Sequence, residues 1–276
     1  MTDEIVPNSF RDPSGFLFFH EGSLYRQVNR VYKEDYDHLI QCGLYQKLVD
    51  CKLLIPHEEV RFNSNITNNA YKILKPELIQ FISYPYEWSF SQLKDAALTT
   101  LKIQKIALES GMILKDASDY NIQFKEGRPI FIDTLSFERY KIGTPWVAYK
   151  QFCQHFLAPL SLMSYKDIRL NQLLRDYVDG IPLDLASALL PVRTYFNFPL
   201  FVHIHFQAKF QKHYAGGTSC KAKKNSMSLH SMLALVDSLK SAIKKLKWIP
   251  KGTEWGDYYK CNHLTGTLEQ KKQLVS

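Results

Sequence analysis

The sequence predicts an α+β protein made of two lobes and a C-terminal helical extension. Strand-type patterns dominate the first 85 residues, and apolar side chains at helical spacing dominate residues 86–200. We therefore expect a strand-rich N-terminal lobe at 1–85, a helical lobe at 86–200 and a basic helical extension or connector at 201–276. With 276 residues, 45% of them hydrophobic, the chain can form a globular core, which excludes a disordered or collagen-like protein.

Short strands and one helix make up the predicted N-terminal lobe. Two strands are expected around the turn Glu21-Gly22-Ser23, where a glycine suits a tight reversal. A helix over about 32–49 follows from apolar side chains that share one face. The expected strands of this lobe are 16–20, 24–28, 53–55, 71–74 and 81–84.

A long helix opens the predicted helical lobe. Apolar residues recur at helical spacing over 90–110, and Gly111 suits the residue that follows a helix end. A loop and a hairpin with its turn at 125–128 come next. They lead into an apolar strand that ends at Asp133, and residues 146–190 are predicted to be mainly helical.

The positive charge of the chain is concentrated in the extension. Residues 1–200 carry 22 Lys and Arg against 23 Asp and Glu, whereas 201–276 carry 13 against 4. Between a linker at 216–219 and a short helix at 267–275, a helix over about 228–247 has lysines in its last turns, where cations favour the helix dipole. Its apolar face favours packing on the body, while its lysines leave nucleic acid, an anionic membrane or a docking partner as alternatives.

Three polar residues carry the candidate chemistry of the helical lobe. Asp116 and Asn121 are five residues apart in a loop, and Asp133 ends the strand after the hairpin. Kinases place a catalytic-loop Asp, an Asn five residues later and an Asp beyond a hairpin in this order. The pattern therefore predicts a bilobal protein-kinase-like fold, with Asp116 as catalytic base and Asn121 and Asp133 as Mg²⁺ ligands beside ATP. In the alternative interpretation these residues only cap a turn, bond their own loop and end a strand.

The phosphate-binding part of such a site departs from the kinase pattern. Arg26 stands in the strand before the first helix, where a lysine is expected, and Glu34 is its candidate partner on that helix. Lys72 is a rival for the role of the cation, and the alternative for the Arg26–Glu34 pair is a solvated surface ion pair. No glycine-rich loop precedes the first strands, and the glycine of the Asp-Phe-Gly motif is missing after Asp133. These departures put phosphoryl transfer in doubt more than they do the fold.

Six segments of the chain carry a resemblance to known proteins: Ser9–Gly15, Leu24–Arg30, Ser83–Trp88, Leu114–Asn121, Ile132–Glu138 and Phe152–Leu157. They are similar to the N-terminal region of one group of bacterial proteins, which are members of the class I SAM-dependent methyltransferase family, some with nodulation-protein names. The resemblance covers nearly all of residues 9–275, and the Asp116–Asn121 pattern within it is aminoglycoside-phosphotransferase-like.

The resemblance implies a region that precedes a methyltransferase domain. A class I methyltransferase binds SAM where an apolar strand ends in a Gly-rich turn, but the chain has no G-x-G, and its adjacent pair Gly216-Gly217 follows no apolar strand. We therefore expect a truncated or split version of the longer protein. SAM would bind only where a methyltransferase domain or chain, the expected partner, is supplied elsewhere.

The sequence leaves three functions open. The first is a kinase-like accessory module of a methyltransferase-family protein that binds nucleotide, the second an active small-molecule kinase, and the third a non-catalytic interaction domain. Four histidines, at 203, 205, 213 and 230, are a weaker candidate metal site because no carboxylate or cysteine lies at a ligand-like spacing. A polar N-terminus and five scattered cysteines without C-x-x-C predict a cytoplasmic location.

Overall fold

The computed structural model describes residues 4–9, 12–61, 69–210, 227–249, 270 and 272–274. A five-stranded antiparallel sheet near the N-terminus and mainly helical segments after it confirm the predicted α+β class. Residues Met1–Leu246 make one compact unit and Lys247–Ser276 make a second. The predicted linker at 216–219 and part of the predicted helix at 267–275 lie outside the described residues. The lobe boundaries after residues 85 and 200 stay predictions.

A five-stranded antiparallel sheet forms the N-terminal part of the fold, with the strand order β1-β2-β3-β5-β4. β2 and β3 confirm the two strands expected around Gly22. Their two-residue turn closes because Glu21 and Gly22 both have a positive φ, 49° and 74°. The strands are β1 Glu4–Ile5, β2 Gly15–His20, β3 Ser23–Asn29, β4 His57–Val60 and β5 Ala70–Pro76.

Two of the strands expected in this region are wrong. Leu54 makes only an isolated parallel bridge to Phe131, so residues 53–55 add no strand to the sheet. Residues 81–84 form no strand, because Phe81 is 77% exposed and a 3₁₀ turn starts directly after them at Pro85. The neighbouring β4 was missed because its sequence, His-Glu-Glu-Val, contains a single strong strand former.

The helix expected over 32–49 is divided into two, α1 Lys33–Gln41 and α2 Leu44–Asp50. Gly43 separates them with a φ of 73°, a left-handed conformation that ends the first helix. Both helices bury apolar side chains in the same core, through Leu39 of α1 and Leu44 of α2. The apolar face of the predicted helix was therefore correct, and only the break between the two helices was missed.

The helix expected over 90–110 is confirmed as α3 Phe90–Glu109. Its start is fixed by a capping box, in which the Ser89 side chain accepts a hydrogen bond from Gln92 N and the Gln92 side chain accepts one from Ser89 N. After its end, Gly111 has a φ of 75°, the conformation that favours glycine at this position.

Two short strand pairs frame the loops that follow α3. The predicted hairpin is confirmed as β7 Ile122–Lys125 paired with β8 Arg128–Phe131. β6 Met112–Leu114 pairs with β9 Phe137–Arg139, and this pair was not predicted because three residues are too few for an alternation signal. Since β6 and β9 are antiparallel neighbours, the loop that leaves β6 and the loop that enters β9 lie side by side.

Helices make up most of the remaining described chain, as expected for 146–190. Two segments are π-helical, Cys153–Leu157 and Phe201–Phe206. None of the helices in the described ranges combines the length and the apolar character that a membrane span requires. The α-helices here are α4 Tyr149–Phe152, α5 Ala158–Tyr165, α6 Leu173–Asp176, α7 Leu183–Leu189, α8 Phe198–Leu200 and α9 Leu229–Lys245.

The helix expected over 228–247 is confirmed as α9, and it packs its apolar face against α3. Lys94 of α3 donates from Nζ to the carbonyl oxygens of Lys244 and Leu246, at 3.0 and 2.7 Å. These bonds satisfy carbonyl groups that the end of a helix leaves without intrahelical partners. The buried residues of α9 are Met232, Val236, Leu239, Ala242 and Ile243.

Candidate functional site

A cavity of about 830 Å³ lies between the five-stranded sheet and the loops that follow β6 and β8. Four of the predicted site residues line it: Arg26 from β3, Asp116 and Asn121 from the loop after β6, and Asp133 from the loop after β8. The pairing of β6 with β9 brings the two loops together, which explains why residues separated along the chain share one cavity. Their individual roles stay predictions.

Apolar and polar side chains reach the cavity from different parts of the fold. The sheet and the segment after β5 supply most of the apolar wall, while the two loops supply carboxylates, an amide and a lysine. The apolar residues that come from the sheet and from the segment after β5 are Leu17, Leu24, Leu74, Pro76, Leu78, Ile79 and Ile82. Such a combination suits a ligand with one flat apolar part and one charged part.

Arg26 and Asp133 form an ion pair inside the cavity. Arg26 Nη2 lies 2.5 Å from Asp133 Oδ1, and both side chains are only 15% exposed. The backbone N–H of Leu135 donates to the same Oδ1 at 3.1 Å. The Ser136 hydroxyl donates to Asp133 Oδ2, and the Asn121 side chain donates to that hydroxyl at 3.2 Å. Asp133 is therefore held by a cation and two neutral donors at once.

The residues present do not fit Mg²⁺ while this ion pair is made. Mg²⁺ binds oxygen ligands at about 2.0–2.1 Å in a nearly octahedral arrangement. Asp133 has both carboxylate oxygens engaged, and a guanidinium occupies the side of Oδ1 that faces β3. The amide oxygen of Asn121 is not used in the bond to Ser136, because that hydrogen bond is donated by the side-chain nitrogen. The predicted ligand pair Asn121 and Asp133 is thus adjacent, but its carboxylate already has a cationic partner.

Asp116 is held in place by groups that contact only one of its oxygens. Its Oδ1 accepts hydrogen bonds from Ser118 N and from Gln151 Nε2, each at 2.9 Å. The other end of the Gln151 side chain accepts from Ala117 N at 2.8 Å, so α4 fixes the loop at two points. Burial, with the nearby Asp133 adding to it, raises the pKa of Asp116 above its ordinary value of 3.8. An oxygen left open on a desolvated carboxylate suits a general base.

Asp116→Asn is expected to make the protein more stable at pH 7. The pKa of Asp116 is higher in the folded than in the unfolded state, so ionisation of this carboxyl opposes folding. An asparagine keeps the oxygen that accepts from Ser118 and Gln151 but carries no charge. Urea unfolding across a pH series checks this: the advantage of the variant should be present at neutral pH and vanish below the ordinary pKa of 3.8. A variant less stable than the wild type at every pH would contradict the assignment.

Lys115, which directly precedes Asp116 in the chain, is a further charged residue that lines the cavity. Its Nζ donates to Ser14 Oγ at 2.6 Å and lies 3.6 Å from Asp12 Oδ1. The same ammonium lies 4.9 Å from the centre of the Tyr32 ring. Lys115 therefore joins the loop of Asp116 to the segment before β2 and brings a second positive charge to the cavity.

Two predicted phosphate-site residues lie elsewhere, and the Glu34–Arg26 partnership is wrong. Glu34 pairs with Arg139 instead, with a side chain that is 75% exposed. The physical reason is that the first turn of α1 faces β9, which carries Arg139. Lys72 forms an ion pair at 2.5 Å with Glu59 on the neighbouring strand. Neither Glu34 nor Lys72 is among the residues that line the cavity.

A buried acid–histidine pair supports the loop from behind and was missed in the sequence. His155 Nδ1 donates to Asp119 Oδ1 at 2.6 Å, and the two side chains are 3% and 0% exposed. Asp119 belongs to the loop after β6, and His155 to the π-helical segment Cys153–Leu157. Asp119 Oδ2 is buried without a hydrogen-bond partner among the described residues. No sequence signal joins these two positions, because their spacing along the chain fits neither a helix nor a strand.

The histidines at 203 and 205 have structural partners. His203 bonds Tyr149 at 2.7 Å and Ser238 at 3.0 Å. His205 bonds Ser187 at 2.8 Å and Thr194 at 2.9 Å. Among the described residues, no group of three His, Cys, Asp or Glu side chains is arranged to hold a metal ion. Of the two other histidines of that candidate site, position 213 lies outside the described residues, and His230 is exposed on α9.

Comparison with known proteins gives one informative relative. No protein-family model matches the chain. Over 273 residues the chain is 33% identical to nodulation protein NoeA of Rhizobium meliloti (strain 1021). The match covers 97% of this chain but 57% of NoeA, so the chain spans little more than half the length of this relative.

Proposed function

This chain is NoeA-like over nearly its whole length, and from that premise we propose that it is a kinase-like module that binds a nucleoside phosphate. The observation that supports the proposal is the composition of the cavity wall. Arg26, Lys115, Asp116, Asn121 and Asp133 meet there beside apolar side chains of the sheet. A base and its sugar need the apolar part, and the phosphates need the cations.

The order of elements supports a kinase-like arrangement of this module. Three antiparallel strands precede α1, two more strands follow it, and α3, the loop of Asp116 and the hairpin come afterwards. The sheet places β3 and β5 side by side, so Arg26 lies directly across from Leu74. A phosphate-binding cation and an apolar wall on adjacent strands are what a nucleotide bound beneath the sheet requires.

The segment after β5 offers backbone groups to a base. Leu78, Ile79 and Ile82 line the cavity, and Glu77 N donates to Pro56 O at 2.9 Å to fix the start of the segment. Within the described residues, the backbone of 78–82 makes no hydrogen bond to protein. The edge of a heterocycle placed between these side chains would find both N–H and C=O groups there.

Phosphoryl transfer is the second candidate function, and Asp116 is the observation that favours it. Its Oδ2 accepts no hydrogen bond from the described residues. The raised pKa of this carboxyl makes it a stronger base, which favours a role in taking a proton from a hydroxyl group. In that case Asp116 would take the proton of an acceptor hydroxyl. The Arg26–Asp133 ion pair favours nucleotide binding over transfer, because it engages the carboxylate that a kinase would use for Mg²⁺.

NoeA is longer than the region that matches this chain, which suggests what the module works with. The chain corresponds to 57% of NoeA, and we propose that it works beside the remaining part, as a domain or as a separate chain. The resemblance in the sequence makes a SAM-dependent methyltransferase the expected partner. The module would then serve as its nucleotide-binding accessory.

Nucleotide binding is tested by titrating the purified chain with ATP and ADP and measuring heat and thermal shift. Leu24→Trp should weaken binding about tenfold or more, because an indole at this position fills the apolar part of the cavity. Leu229→Trp is the matched control, since Leu229 is 40% exposed on α9 and does not line the cavity. Equal binding by both variants, or none by the wild type at millimolar ATP, would argue against this site.

A further inference from the structure

We infer that the cavity binds the phosphates of its nucleotide without a divalent cation, because the Arg26 guanidinium takes the place of Mg²⁺ beside Asp133. The inference rests on the proposed function and says which chemical form of the ligand is bound. It is supported by the position of Arg26, the hydrogen-bond partners of Asp133, the repulsion that a metal ion would meet from Arg26, and the donors that remain for phosphate.

Arg26 is fixed against Asp133 by the sheet. In β3 it lies opposite Leu17 of β2 and Leu74 of β5, so apolar neighbours stand on both sides of its stem. Its side chain is 15% exposed, and its guanidinium reaches Asp133 with Nη2 at 2.5 Å from Oδ1. A side chain packed in this way has little freedom to withdraw and leave the carboxylate to another cation.

Asp133 is engaged on both oxygens. Besides the guanidinium, Leu135 N donates to Oδ1, and the Ser136 hydroxyl donates to Oδ2. Asp133 also caps the 3₁₀ turn Thr134–Ser136, so these bonds belong to the local fold of the loop. A metal ion bound to this carboxylate would have to displace donors that hold the loop in shape.

A Mg²⁺ ion bound to Asp133 would be repelled by the Arg26 guanidinium. A Mg²⁺ ion at about 2 Å from Asp133 would lie within about 5 Å of the guanidinium, in a partly buried cavity where charges are weakly screened. Arg26 already balances the carboxylate, and the repulsion between a dication and a guanidinium opposes metal entry. The ion pair therefore does the electrostatic work for which a kinase uses its metal.

Donors remain for phosphate after the ion pair is formed. A guanidinium has five N–H groups, and the contact with Asp133 is made by Nη2 alone. Lys115 supplies a second cation from the neighbouring loop. Arginine binds phosphate oxygens in pairs, so these two side chains can receive a phosphate directly.

The test is calorimetric titration of the full chain with ATP, once in excess EDTA and once in excess Mg²⁺. We expect the dissociation constant measured in EDTA to be no larger than the one measured in Mg²⁺. Arg26→Ala should weaken binding in EDTA by about tenfold or more, the loss of one charge-assisted contact. Arg139→Ala is the matched control, because Arg139 pairs with Glu34 away from the cavity and its loss should leave binding unchanged.

Asp133→Asn separates the two mechanisms even if Arg26→Ala fails to fold. A site that holds its nucleotide through Mg²⁺ on Asp133 would lose binding in this variant. A site that uses Arg26 should bind ATP more tightly in EDTA, because a negative charge facing the phosphates has been removed. Circular dichroism of each variant confirms that it is folded.

The outcomes are distinct. Binding by the wild type in Mg²⁺ but not in EDTA would overturn the metal-free inference and leave the proposed function standing. Absence of ATP binding in both solutions would overturn the proposed function and the inference with it. Binding in EDTA that Arg26→Ala weakens and Asp133→Asn strengthens would establish both.

Discussion

Asp119→Ala is expected to lower the free energy of unfolding by about 3–5 kcal/mol, because it removes one partner of a buried acid–histidine pair and leaves a cavity. The carboxylate is fully buried and receives the Nδ1–H of His155 at 2.6 Å. Removing it leaves the imidazole without this acceptor, with only Ser118 Oγ nearby at 3.5 Å. A cavity replaces the rest of the side chain.

Urea denaturation of Asp119→Ala and two companion variants checks this expectation. Asp119→Asn keeps an oxygen that accepts from His155 and should lose about 1–2 kcal/mol. Asp237→Ala is the matched control, because the Asp237 side chain is 53% exposed and its ion pair with Lys105 spans 3.4 Å, so about 0–1 kcal/mol is expected. If Asp119→Ala cost no more than Asp237→Ala, the pair would have no supporting role.

The Asp119–His155 pair also has a consequence for the cavity. Asp119 lies in the loop that carries Asp116 and Asn121, and Tyr120 beside it lines the cavity. The pair fastens this loop to the π-helical segment Cys153–Leu157, and π-helical turns occur often at functional sites. Under the proposed function, loss of the pair should therefore weaken ATP binding as well as stability.

Gly180→Ala is expected to destabilise the protein by about 2–5 kcal/mol, the sum of left-handed backbone strain and overpacking. Gly180 has a φ of 86°, and a Cβ built there would lie 2.7 Å from Gln154 Cβ and 2.8 Å from His155 Cδ2. It would also lie 2.9 Å from the backbone carbon of Gln154, which cannot turn away as a side-chain end can. The chain at this turn therefore needs glycine for two separate reasons.

Gly127→Ala isolates one of these reasons. Gly127 has a φ of 73° in the β7–β8 turn, but a Cβ there would meet nothing within 4 Å. Only the backbone strain of about 1–2 kcal/mol is expected from this variant. Thermal and urea unfolding of both variants measures the difference, which is the cost of close packing on the π-helical segment. Equal losses would mean that the close approach at Gly180 is relieved at no cost.

The sequence was sufficient for elements whose signals are local. α3 and α9 were predicted with errors of one or two residues at their ends, because their apolar faces repeat over several turns and their N-caps are serines. The β2–β3 and β7–β8 hairpins followed from glycine turns between strand-like runs. Where the signal was short or polar, as in β4 and β9, the prediction failed because periodicity needs length.

The sequence was also sufficient to predict that some residues of the candidate site lie close together. The spacing of Asp116 and Asn121 in a loop, with Asp133 after a hairpin, predicted residues of one cavity, and all three line it. It was not sufficient for the partner of Arg26, because Glu34 was taken from the kinase pattern as a partner on the first helix and the sequence contains no distances. In the structure Arg26 is closer to Asp133, which is distant in sequence but adjacent across the cavity.

Sequence alone therefore determined the α+β class and the main helices and hairpins, and it grouped Asp116, Asn121 and Asp133, which line one cavity. Only the tertiary structure decided which polar side chains pair with one another: Arg26 with Asp133, Glu34 with Arg139, Lys72 with Glu59 and Asp119 with His155. The physical reason is that helix and turn signals come from neighbours within a few residues, whereas the energy of an ion pair depends on distance and burial in space. Those two quantities exist only once β3, the loops and the π-helical segment are packed together.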